Sequence, residues 1–380
     1  MSTHTANRFS CPSKEICGGC QTLGQTQEAQ HEGHRQALSQ AWQSAQLPTP
    51  PKTIHIFGAF IQASRSVAEF SFRRYPDRTA VGWFHQGHDT LQPLNDCPAL
   101  VSSLRPLFQY LAQTPPPIDR CTFRIRSAPN GQLGCWIDAA NIDIATLLKE
   151  QAWLRKLMTH CLVEMGQKHK RVVAEGEGLK LKKPILEPWF QSAFDKETPI
   201  LLWSTIAGFS QPSIALNVTL VERVLKQVKS IQSKGWLEFG AGSGNFTLPM
   251  AALGLHVTAT ESSPTGKKGL LRGLEQLKNP HSVTISTLNL QRNTPESRQL
   301  IATAESLLLD PPRNGMGTMQ RTLADADSKP KSILYIACAL KGLIDDAQFL
   351  IGLGYRVKHI EGVAQFPNTK HCEWIVHFEL

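Results

Sequence analysis

Residues 237–246 read LEFGAGSGNF, a short apolar run that leads into three alternating glycines. Glycine lacks a Cβ atom, so Gly240, Gly242 and Gly244 allow the backbone to turn tightly and to approach a ligand closely. An apolar strand, such a loop and a helix that begins near Asn245 form the arrangement by which open α/β sheets bind nucleosides. The stretch therefore predicts a Rossmann-like α/β domain in the last part of the chain.

Two acids indicate which nucleoside is bound. Residues 255–261 read LHVTATE, and Glu261 follows the glycine loop at the ~20 residues expected of an acid that binds ribose hydroxyls. A GxGxG loop alone also fits a dinucleotide such as NAD. Here Glu238 lies on the strand just before the glycines, and an acid at this position favours S-adenosylmethionine over NAD.

Three further candidate reactive side chains follow. Residues 307–315 read LLLDPPRNG, where Asp310 ends an apolar strand and two prolines force an extended exit at the ligand-binding edge. Cys338 closes the strand SILYIAC, and Glu373 ends the triplet HCE. Taken singly, DPP also fits a surface turn, and Cys338 also fits an inert core cysteine. In this order, the acid, a candidate thiol nucleophile and a candidate carboxylate base indicate an enzyme.

The charge of the chain indicates a polyanionic partner. Its 380 residues carry a formal net charge of +9, and the pI is near 9.1. Clustered Lys and Arg gain affinity by displacing counterions from phosphates, so nucleic acid is the leading candidate, although a basic face also serves solubility. The basic clusters are Arg73, Arg74 and Arg78; Arg120, Arg124 and Arg126; Lys168, Lys170 and Arg171; and Lys180, Lys182 and Lys183.

The apolar runs of the chain are short. None reaches the ~20 residues that span a bilayer, and the polar N-terminus lacks the apolar segment of a signal peptide. With 41% hydrophobic residues, the chain can bury substantial cores in two or three domains. We therefore expect a cytoplasmic protein with no membrane partner.

Cysteines are concentrated near the N-terminus. Cys11, Cys17 and Cys20 lie within CPSKEICGGCQ, where two glycines let neighbouring thiolates converge on one metal site. The best candidate for a fourth ligand is Cys97 in LNDCPAL, between turn-forming residues. Four thiolates suit either zinc or an iron-sulfur cluster, spacing alone does not separate these, and unliganded cysteines remain an alternative. The cysteines in apolar contexts, expected in the core, are Cys121, Cys135 and Cys161.

The chain divides into three parts by its local patterns. A Cys-rich segment at 1–50 includes a helix at 25–45, and a β-rich central domain at 51–200 includes a hairpin turn at Asn130-Gly131. In the same domain we expect a helix at 144–165 and short basic strands or a loop at 168–188. Residues 201–380 alternate strand and helix patterns and form the predicted α/β domain.

Several motifs together carry a family resemblance. They are CxxxxxCGGC, GFSQPSIALN at 208–217, GxGxGNFTLP, LLLDPPRNG, YIAC and FPNTKHCE. Their joint occurrence resembles the RNA uracil-C5 methyltransferases, which form 5-methyluridine in tRNA or ribosomal RNA, many of them with a [4Fe-4S] cluster. The resemblance spans most of the chain. It implies a class I S-adenosylmethionine-dependent methyltransferase domain at the C-terminus, preceded by a β-rich central domain and a Cys-rich cluster segment.

The resemblance also implies a role for individual residues. Cys338 matches the nucleophile that adds to C6 of uracil, and Glu373 matches the base that removes the C5 proton. The positions that match cofactor-binding residues are Gln211, Gly240, Asn245, Glu261 and Asp310. The positions that match cluster ligands are Cys11, Cys17, Cys20 and Cys97.

The chain departs from the family pattern at several positions. The nucleophile lies in ACAL, where the family usually reads SCNP, so Cys338 loses polar and rigidifying neighbours. Gly240 stands where an aromatic residue is common, Glu238 where Asp is common, and Cys372 where an aliphatic residue is common. The presence of both Cys338 and Glu373 nevertheless argues for an active enzyme.

The layout of the N-terminus bears on the RNA substrate. Many relatives carry a small RNA-binding β-barrel ahead of the cluster, whereas ten residues precede Cys11 here. This layout resembles the 23S ribosomal RNA branch more than the tRNA branch, and RNA contacts are expected from the central arginines. The alternatives are a tRNA uracil-C5 methyltransferase, a methyltransferase that acts on another atom or substrate, and a cluster-bearing RNA-binding protein without catalysis. We expect a monomer.

Overall fold

A computed structural model of the chain describes residues 10–48, 53–58, 63–84, 90–193 and 199–380. The helices are α1 (Lys14–Cys17), α2 (Gln27–Ser44), α3 (Arg105–Gln113), α4 (Asn141–Lys149), α5 (Gln151–Met158), α6 (Ile214–Ile231), α7 (Thr247–Ala252), α8 (Pro264–Leu274), α9 (Pro295–Ala302), α10 (Met319–Ala324) and α11 (Leu340–Gly352). A 3₁₀ turn occupies Pro280–Ser282.

Strands account for much of the remainder. The strands of the first half are β1 (His55–Phe57), β2 (Val67–Arg74), β3 (Thr79–Gly82), β4 (Arg120–Ser127), β5 (Leu133–Asp138), β6 (Leu162–Met165), β7 (Lys170–Glu175), β8 (Gly178–Lys182), β9 (Glu187–Ala193) and β10 (Pro199–Ser204). Those of the second half are β11 (Gly235–Phe239), β12 (His256–Thr260), β13 (Val283–Ser286), β14 (Ser306–Leu309), β15 (Ser332–Ala337), β16 (Arg356–Val363) and β17 (Glu373–Glu379).

The C-terminal half is built on an eight-stranded sheet. Its order in the described residues is β1-β16-β17-β15-β14-β11-β12-β13, and β17 runs antiparallel to both of its neighbours. Chain order reverses at β11, which has β12 on one side and β14 on the other. Open α/β sheets bind ligands at the carboxyl ends of the strands at such a reversal. The predicted Rossmann-like α/β architecture is confirmed.

Helices cover both faces of this sheet. The strands β14 and β15 are buried along their whole length, as expected for parallel strands packed on two sides. One face packs against α6, α7 and α8, and the other against α2, α10 and α11. Helix α2 belongs to this second layer through Leu38 and Trp42, which are 0% and 1% exposed. Helix α2 of the N-terminal segment is thus part of the core of the C-terminal half.

The central part forms a second sheet, with the order β3-β2-β4-β5-β6-β7-β8. Its apolar face packs against α3, α4 and α5. A separate hairpin of β9 and β10 lies between the two sheets in the chain, and β10 contacts α8 of the C-terminal half. The three cysteines expected in the core, Cys121, Cys135 and Cys161, are buried there.

Some of the secondary-structure elements predicted from the sequence are present in the structure, and one is not. The hairpin at Asn130-Gly131 joins β4 and β5, and the predicted basic strands are β7 and β8. The single helix predicted at 144–165 is wrong, because α4 and α5 are separate and residues 162–165 form β6 beside β5. Pairing with β5 overrides local helix propensity at this end. The division into domains at residues 50 and 200 stays a prediction; β1, just after the first boundary, pairs with β16.

Two arginines assigned to a polyanion-binding surface are buried instead. Arg126 is 1% exposed and Arg171 is 4% exposed, so neither is available to a phosphate. Arg171 pairs with Glu164 and Glu187, and Arg126 binds the loop described below. No helix in the described ranges is long and apolar enough to cross a membrane.

Candidate active site

The glycine loop follows β11 at the point where chain order reverses. Gly240, Gly242 and Gly244 all have positive φ, at 70°, 58° and 94°. A Cβ atom on Gly244 would lie 2.7 Å from Leu270 Cδ1 and 2.8 Å from Leu248 Cγ, so a side chain there would displace α7 and α8. The loop therefore needs glycine at this position for packing as well as for conformation.

Glu261 lies directly after β12 and faces this loop. Its Oε2 accepts a hydrogen bond from the backbone N–H of Gly242 at 2.7 Å, and its Oε1 accepts one from that of Ser263. Gly266 packs beneath the carboxylate, because a Cβ atom there would lie 2.9 Å from Glu261 Cδ. The carboxylate is therefore held in one position at the edge of the loop.

A cavity of about 350 Å³ lies above the loop, within the size range of small-molecule sites. Its walls include every residue predicted to bind the cofactor: Gln211, Gly240, Asn245, Glu261 and Asp310. Glu238 also lines it, and none of the described residues in its walls is Lys or Arg. An acidic cavity attracts a positively charged ligand. This observation agrees with the predicted S-adenosylmethionine, whose sulfonium carries a positive charge.

The asparagine at the loop is fixed by a reciprocal amide pair. Asn245 Nδ2 donates to Asn217 Oδ1 at 3.0 Å, and Asn217 Nδ2 donates back to Asn245 Oδ1 at 2.8 Å. Asn217 is fully buried on α6 and also donates to the carbonyl of Gln191. Helix α6 and strand β9 thereby set the position of the glycine loop.

The central domain holds the opposite wall of the cavity through Arg126. Its Nη2 donates to Gly208 O at 2.8 Å and to Ser210 Oγ at 2.9 Å, and its Nη1 donates to Ser204 Oγ at 3.2 Å. Gly208 and Ser210 belong to the loop that ends in Gln211, and Ser204 is the last residue of β10, just before that loop. Burial lowers the pKa of Arg126 to about 9, so the side chain keeps its charge near neutral pH. Sequence reasoning missed this role.

Asp310, Cys338 and Glu373 meet at the carboxyl edge beside the cavity. Asp310 follows β14, Cys338 follows β15, and the antiparallel pairing of Ala337 with Trp374 brings Glu373 opposite Cys338. Burial raises the pKa of Asp310 to about 7. Burial and then the charge of Asp310 raise the pKa of Glu373 to about 8. The predicted acid, thiol and base are therefore neighbours.

The thiol of Cys338 is half-buried and holds its proton at neutral pH. Burial, then Glu373 and then Asp310 raise its pKa to about 11. The Arg313 guanidinium opposes the rise at both Cys338 and Glu373. Sequence reasoning quoted Arg313 within DPPRNG without assigning it a role, although a cation directly after a strand-end acid was the available signal. Arg313 is the described cation whose charge acts on both reactive groups.

Glu373 is buried and has an unused acceptor. It is 2% exposed, and its Oε2 has no hydrogen-bond partner among the described residues. A buried carboxyl oxygen without a hydrogen-bond partner is costly, and a catalytic role is one of the reasons for which such a group is retained. The loop before Glu373 is held from the N-terminal segment, because Asn368 N donates to Gln30 Oε1 at 2.9 Å and Thr22 N donates to Asn368 O.

The four cysteines predicted to bind a cluster lie near one another. They are Cys11, Cys17, Cys20 and Cys97. Burial, and then the charges of Cys97, Cys17 and Cys11, raise the pKa of Cys20 to about 11, while Arg65 opposes the rise. Backbone N–H groups of Gly19 and Ala99 also bond to the thiols of Cys17 and Cys97. In the described part of the chain, no group of three His, Cys, Asp or Glu side chains is arranged to hold a metal ion.

The packing of Gly266 predicts the effect of a methyl group on cofactor binding. Gly266→Ala is expected to push the Glu261 carboxylate from its position and to raise the Kd for S-adenosylhomocysteine roughly tenfold, about 1.4 kcal/mol. Isothermal titration calorimetry measures this. Gly235→Ala is the control, because its Cβ atom would meet nothing within 4 Å at the far end of β11. Equal affinities of the two variants would remove Glu261 from the cofactor site.

The charge of Glu373 predicts the reactivity of the thiol. Above about pH 8 its carboxylate disfavours the Cys338 thiolate, so Glu373→Gln is expected to lower the thiol pKa and to speed alkylation of Cys338 roughly three- to tenfold. Below about pH 6 Glu373 is protonated and neutral, and the difference should vanish. Mass spectrometry of the Cys338 peptide after iodoacetamide treatment gives the rates. Glu379→Gln, at the exposed end of the same strand, should change nothing; an equal rate in Glu373→Gln would contradict the proximity.

Several known proteins are similar to this chain in sequence. The sequence profile of the tRNA (Uracil-5-)-methyltransferase family matches residues 200–379. An uncharacterized RNA methyltransferase of Bdellovibrio bacteriovorus is 31% identical over 371 residues, which cover 96% of this chain and 93% of that protein. A 23S rRNA (uracil(1939)-C(5))-methyltransferase of Pseudomonas savastanoi pv. phaseolicola is 25% identical, over 96% of this chain and 78% of its own.

A solved structure extends the likeness to three dimensions. The tRNA (uracil-54, C5)-methyltransferase of Pyrococcus abyssi, solved in complex with S-adenosyl-L-homocysteine, aligns with a TM-score of 0.66 at 15% identity. The alignment covers 97% of this chain and 87% of that one, so the two proteins share a fold across both halves. With the matched profile and the full-length relative, these findings show that the chain belongs to the RNA uracil-C5 methyltransferase family.

Proposed function

We propose that this enzyme forms 5-methyluridine in RNA with Cys338 as the nucleophile and Glu373 as the base. The observation that carries the proposal is their meeting with Asp310 at one edge of the sheet. Asp310 also lines the cavity that holds every predicted cofactor residue. In this arrangement the methyl donor, the Cys338 thiol and the Glu373 carboxylate would all reach the same uracil of the substrate.

The residue types suit the reaction at C5 of uracil. That carbon is a poor nucleophile, so the Cys338 thiolate adds to C6 and shifts an electron pair to C5. S-Adenosylmethionine, when bound, supplies the electrophilic methyl group that this carbon accepts. Glu373 then takes the C5 proton, the carbon–sulfur bond breaks, and the electron pair restores the C5–C6 double bond.

The unusual protonation states of the site fit this division of labour. A carboxyl group with a pKa of about 8 is a stronger base at C5 than an ordinary glutamate, once its proton is lost. Arg313 faces both groups and favours their charged forms, so it would stabilise the Cys338 thiolate as attack begins. The ACAL sequence lacks polar side chains at positions 337, 339 and 340, and Arg313 supplies a compensating charge from the neighbouring strand end.

The cofactor is assigned to the acidic cavity. Glu261 would hold the ribose hydroxyls, and Gln211, Asn245 and the backbone of Gly240 would hold the rest of the cofactor. Asp310 lies on the side of the cavity that faces the two reactive groups, which supports a place for it near the cationic end of the cofactor. Phe209, 81% exposed at the rim, offers an aromatic face for a base that leaves its stack.

We assign the substrate to 23S ribosomal RNA. Support comes from the Pseudomonas relative and from a Shewanella protein of the same name, 24% identical over 100% of this chain and 84% of its own. The fold neighbour acts on tRNA by its name, and its 15% identity carries the fold alone. We further assign the enzyme to the cytoplasm as a monomer.

We assign a [4Fe-4S] cluster to Cys11, Cys17, Cys20 and Cys97. The mutual influence of these thiols, the N–H bonds to two of them and the nearby Arg65 cation all suit a negatively charged thiolate cluster. Its proposed role is to fix the N-terminal segment against the loop that leads to Glu373.

Release of tritium tests the reaction and the substrate together. Unmodified ribosomal RNA and tRNA carrying uridine tritiated at C5 are incubated separately with the enzyme and S-adenosylmethionine. We expect release from ribosomal RNA, loss to background in Cys338→Ala, and full release in Cys161→Ala, a buried cysteine of the central sheet. Release from tRNA alone would overturn the substrate, and turnover by Cys338→Ala would overturn the nucleophile. No release despite binding of S-adenosylhomocysteine would favour a non-catalytic RNA-binding protein.

Metal content tests the cluster. Protein purified without oxygen is expected to contain about four iron atoms per chain and to absorb broadly in the visible range. Cys20→Ser should lose the iron and the absorbance, whereas Cys161→Ala should keep both. Stoichiometric zinc without iron would contradict the assignment.

A further inference from the structure

The loop that carries Cys338 contains few residues that could hold it in one conformation. Cys338 lies between the last residue of β15 and the first residue of α11, and Ala339 makes no side-chain hydrogen bond at the start of that helix. Neither Ala337 nor Leu340 brings a polar group or a restricted backbone. A nucleophile whose position decides its reaction therefore needs support from elsewhere.

That support converges on one buried carboxylate. Asp346 lies on α11 two turns after Cys338 and is 1% exposed. Its Oδ2 accepts hydrogen bonds from the hydroxyl of Tyr335 and from the backbone N–H of Met316, the latter at 2.7 Å. Its Oδ1 accepts from Gln320 Nε2 at 2.8 Å. Both of its oxygens thus have donors.

The three donors come from three different segments. Tyr335 lies on β15, three residues before Cys338, whereas Met316 belongs to the loop that continues from Asp310 and Arg313, and Gln320 to α10. Asp346 itself follows Cys338 on α11. The carboxylate therefore joins the strand before the nucleophile, the helix after it and the loop that carries Arg313.

Two glycines let these segments approach one another closely. A Cβ atom on Gly342 would lie 2.7 Å from Arg313 O and 2.8 Å from Gly315 N. A Cβ atom on Gly315, which has a φ of 79°, would lie 2.5 Å from Asp346 Oδ2. Helix α11 is thus packed directly onto the backbone of the DPPRNG loop, with the carboxylate filling the junction.

We propose that Asp346 and Tyr335 are positioning residues that hold Cys338 in register with Arg313 and Asp310. This inference rests on the proposed role of Cys338 as the nucleophile. Tyr335 lies on β15 three residues before Cys338, and its hydroxyl bonds to Asp346 on the helix that follows Cys338. Without the Tyr335 hydroxyl, Asp346 keeps its hydrogen bonds to Met316 and Gln320 but loses the one that joins it to β15.

A second tyrosine provides a matched control. Tyr355 is as buried as Tyr335, at 1% exposure, belongs to the same core and also makes one hydrogen bond, from its hydroxyl to Pro330 O at 2.6 Å. Pro330 precedes β15, at the end of the strand opposite to Cys338. Tyr335→Phe and Tyr355→Phe thus remove the same group from the same core at opposite ends of one strand.

Steady-state kinetics of tritium release compare the two variants. Tyr335→Phe is expected to lower kcat roughly tenfold with the Kd for S-adenosylhomocysteine unchanged, because a small displacement of the nucleophile costs rate and spares cofactor binding. It should also change the rate at which iodoacetamide alkylates Cys338. Tyr355→Phe should leave kcat and alkylation unchanged, even where both variants lose similar thermal stability.

A second substitution guards against a folding artefact. Asp346→Asn keeps the shape but presents an amide N–H₂ group to one of its donors, and it should lower kcat at least as much as Tyr335→Phe does. Equal kcat in Tyr335→Phe and Tyr355→Phe, or loss of cofactor affinity in step with kcat, would overturn the positioning role. Cys338→Ala separates failure of the proposed nucleophile from failure of the positioning role. If that variant retains turnover, Cys338 is not the nucleophile. If it is inactive while Tyr335→Phe behaves as Tyr355→Phe does, the positioning role alone fails.

Discussion

The burial of Asp310 at the carboxyl end of β14 is the constraint on which the site depends. Its charge acts on Glu238 inside the cavity and on Cys338 and Glu373 beside it. Carboxyl groups crowded in this way cannot all ionise at neutral pH, so each raises the cost of charge at its neighbours. A cationic ligand in the cavity would relieve this repulsion and thereby change the protonation of Cys338 and Glu373.

The sequence was informative where function requires particular residues at strand ends. Glycines after β11, the acid after β14 and the thiol after β15 could be recognised because parallel strands deliver their carboxyl ends to one edge. The supporting residues were not recognisable in this way. Arg126 alternates with apolar residues on β4 just as an exposed arginine would, and only the loop that ends in Gln211, far along the chain, buries it. Likewise, β6 forms because β5 is beside it.

The central domain thus does more than present a surface. Arg126 bonds to the same loop that Arg124 reaches at Ala207 and that Glu164 reaches at the N–H of Ala207. This wall of the cavity is therefore held in place by side chains of the central sheet. A movement of that sheet would therefore pass to the loop that ends in Gln211 through these hydrogen bonds.

The pairing of β1 with β16 determines the order in which parts of the protein can fold during translation. Residues 55–57 find their hydrogen-bonding partners at 361–363, and α2 packs against α11. A chain that leaves the ribosome from its N-terminus must therefore carry these early segments without partners until nearly all of it has been made. The central sheet, whose strands pair within residues 67–182, can close long before then. Translation thus completes the central sheet first, and β1 and α2 can dock only when the C-terminal sheet is nearly complete.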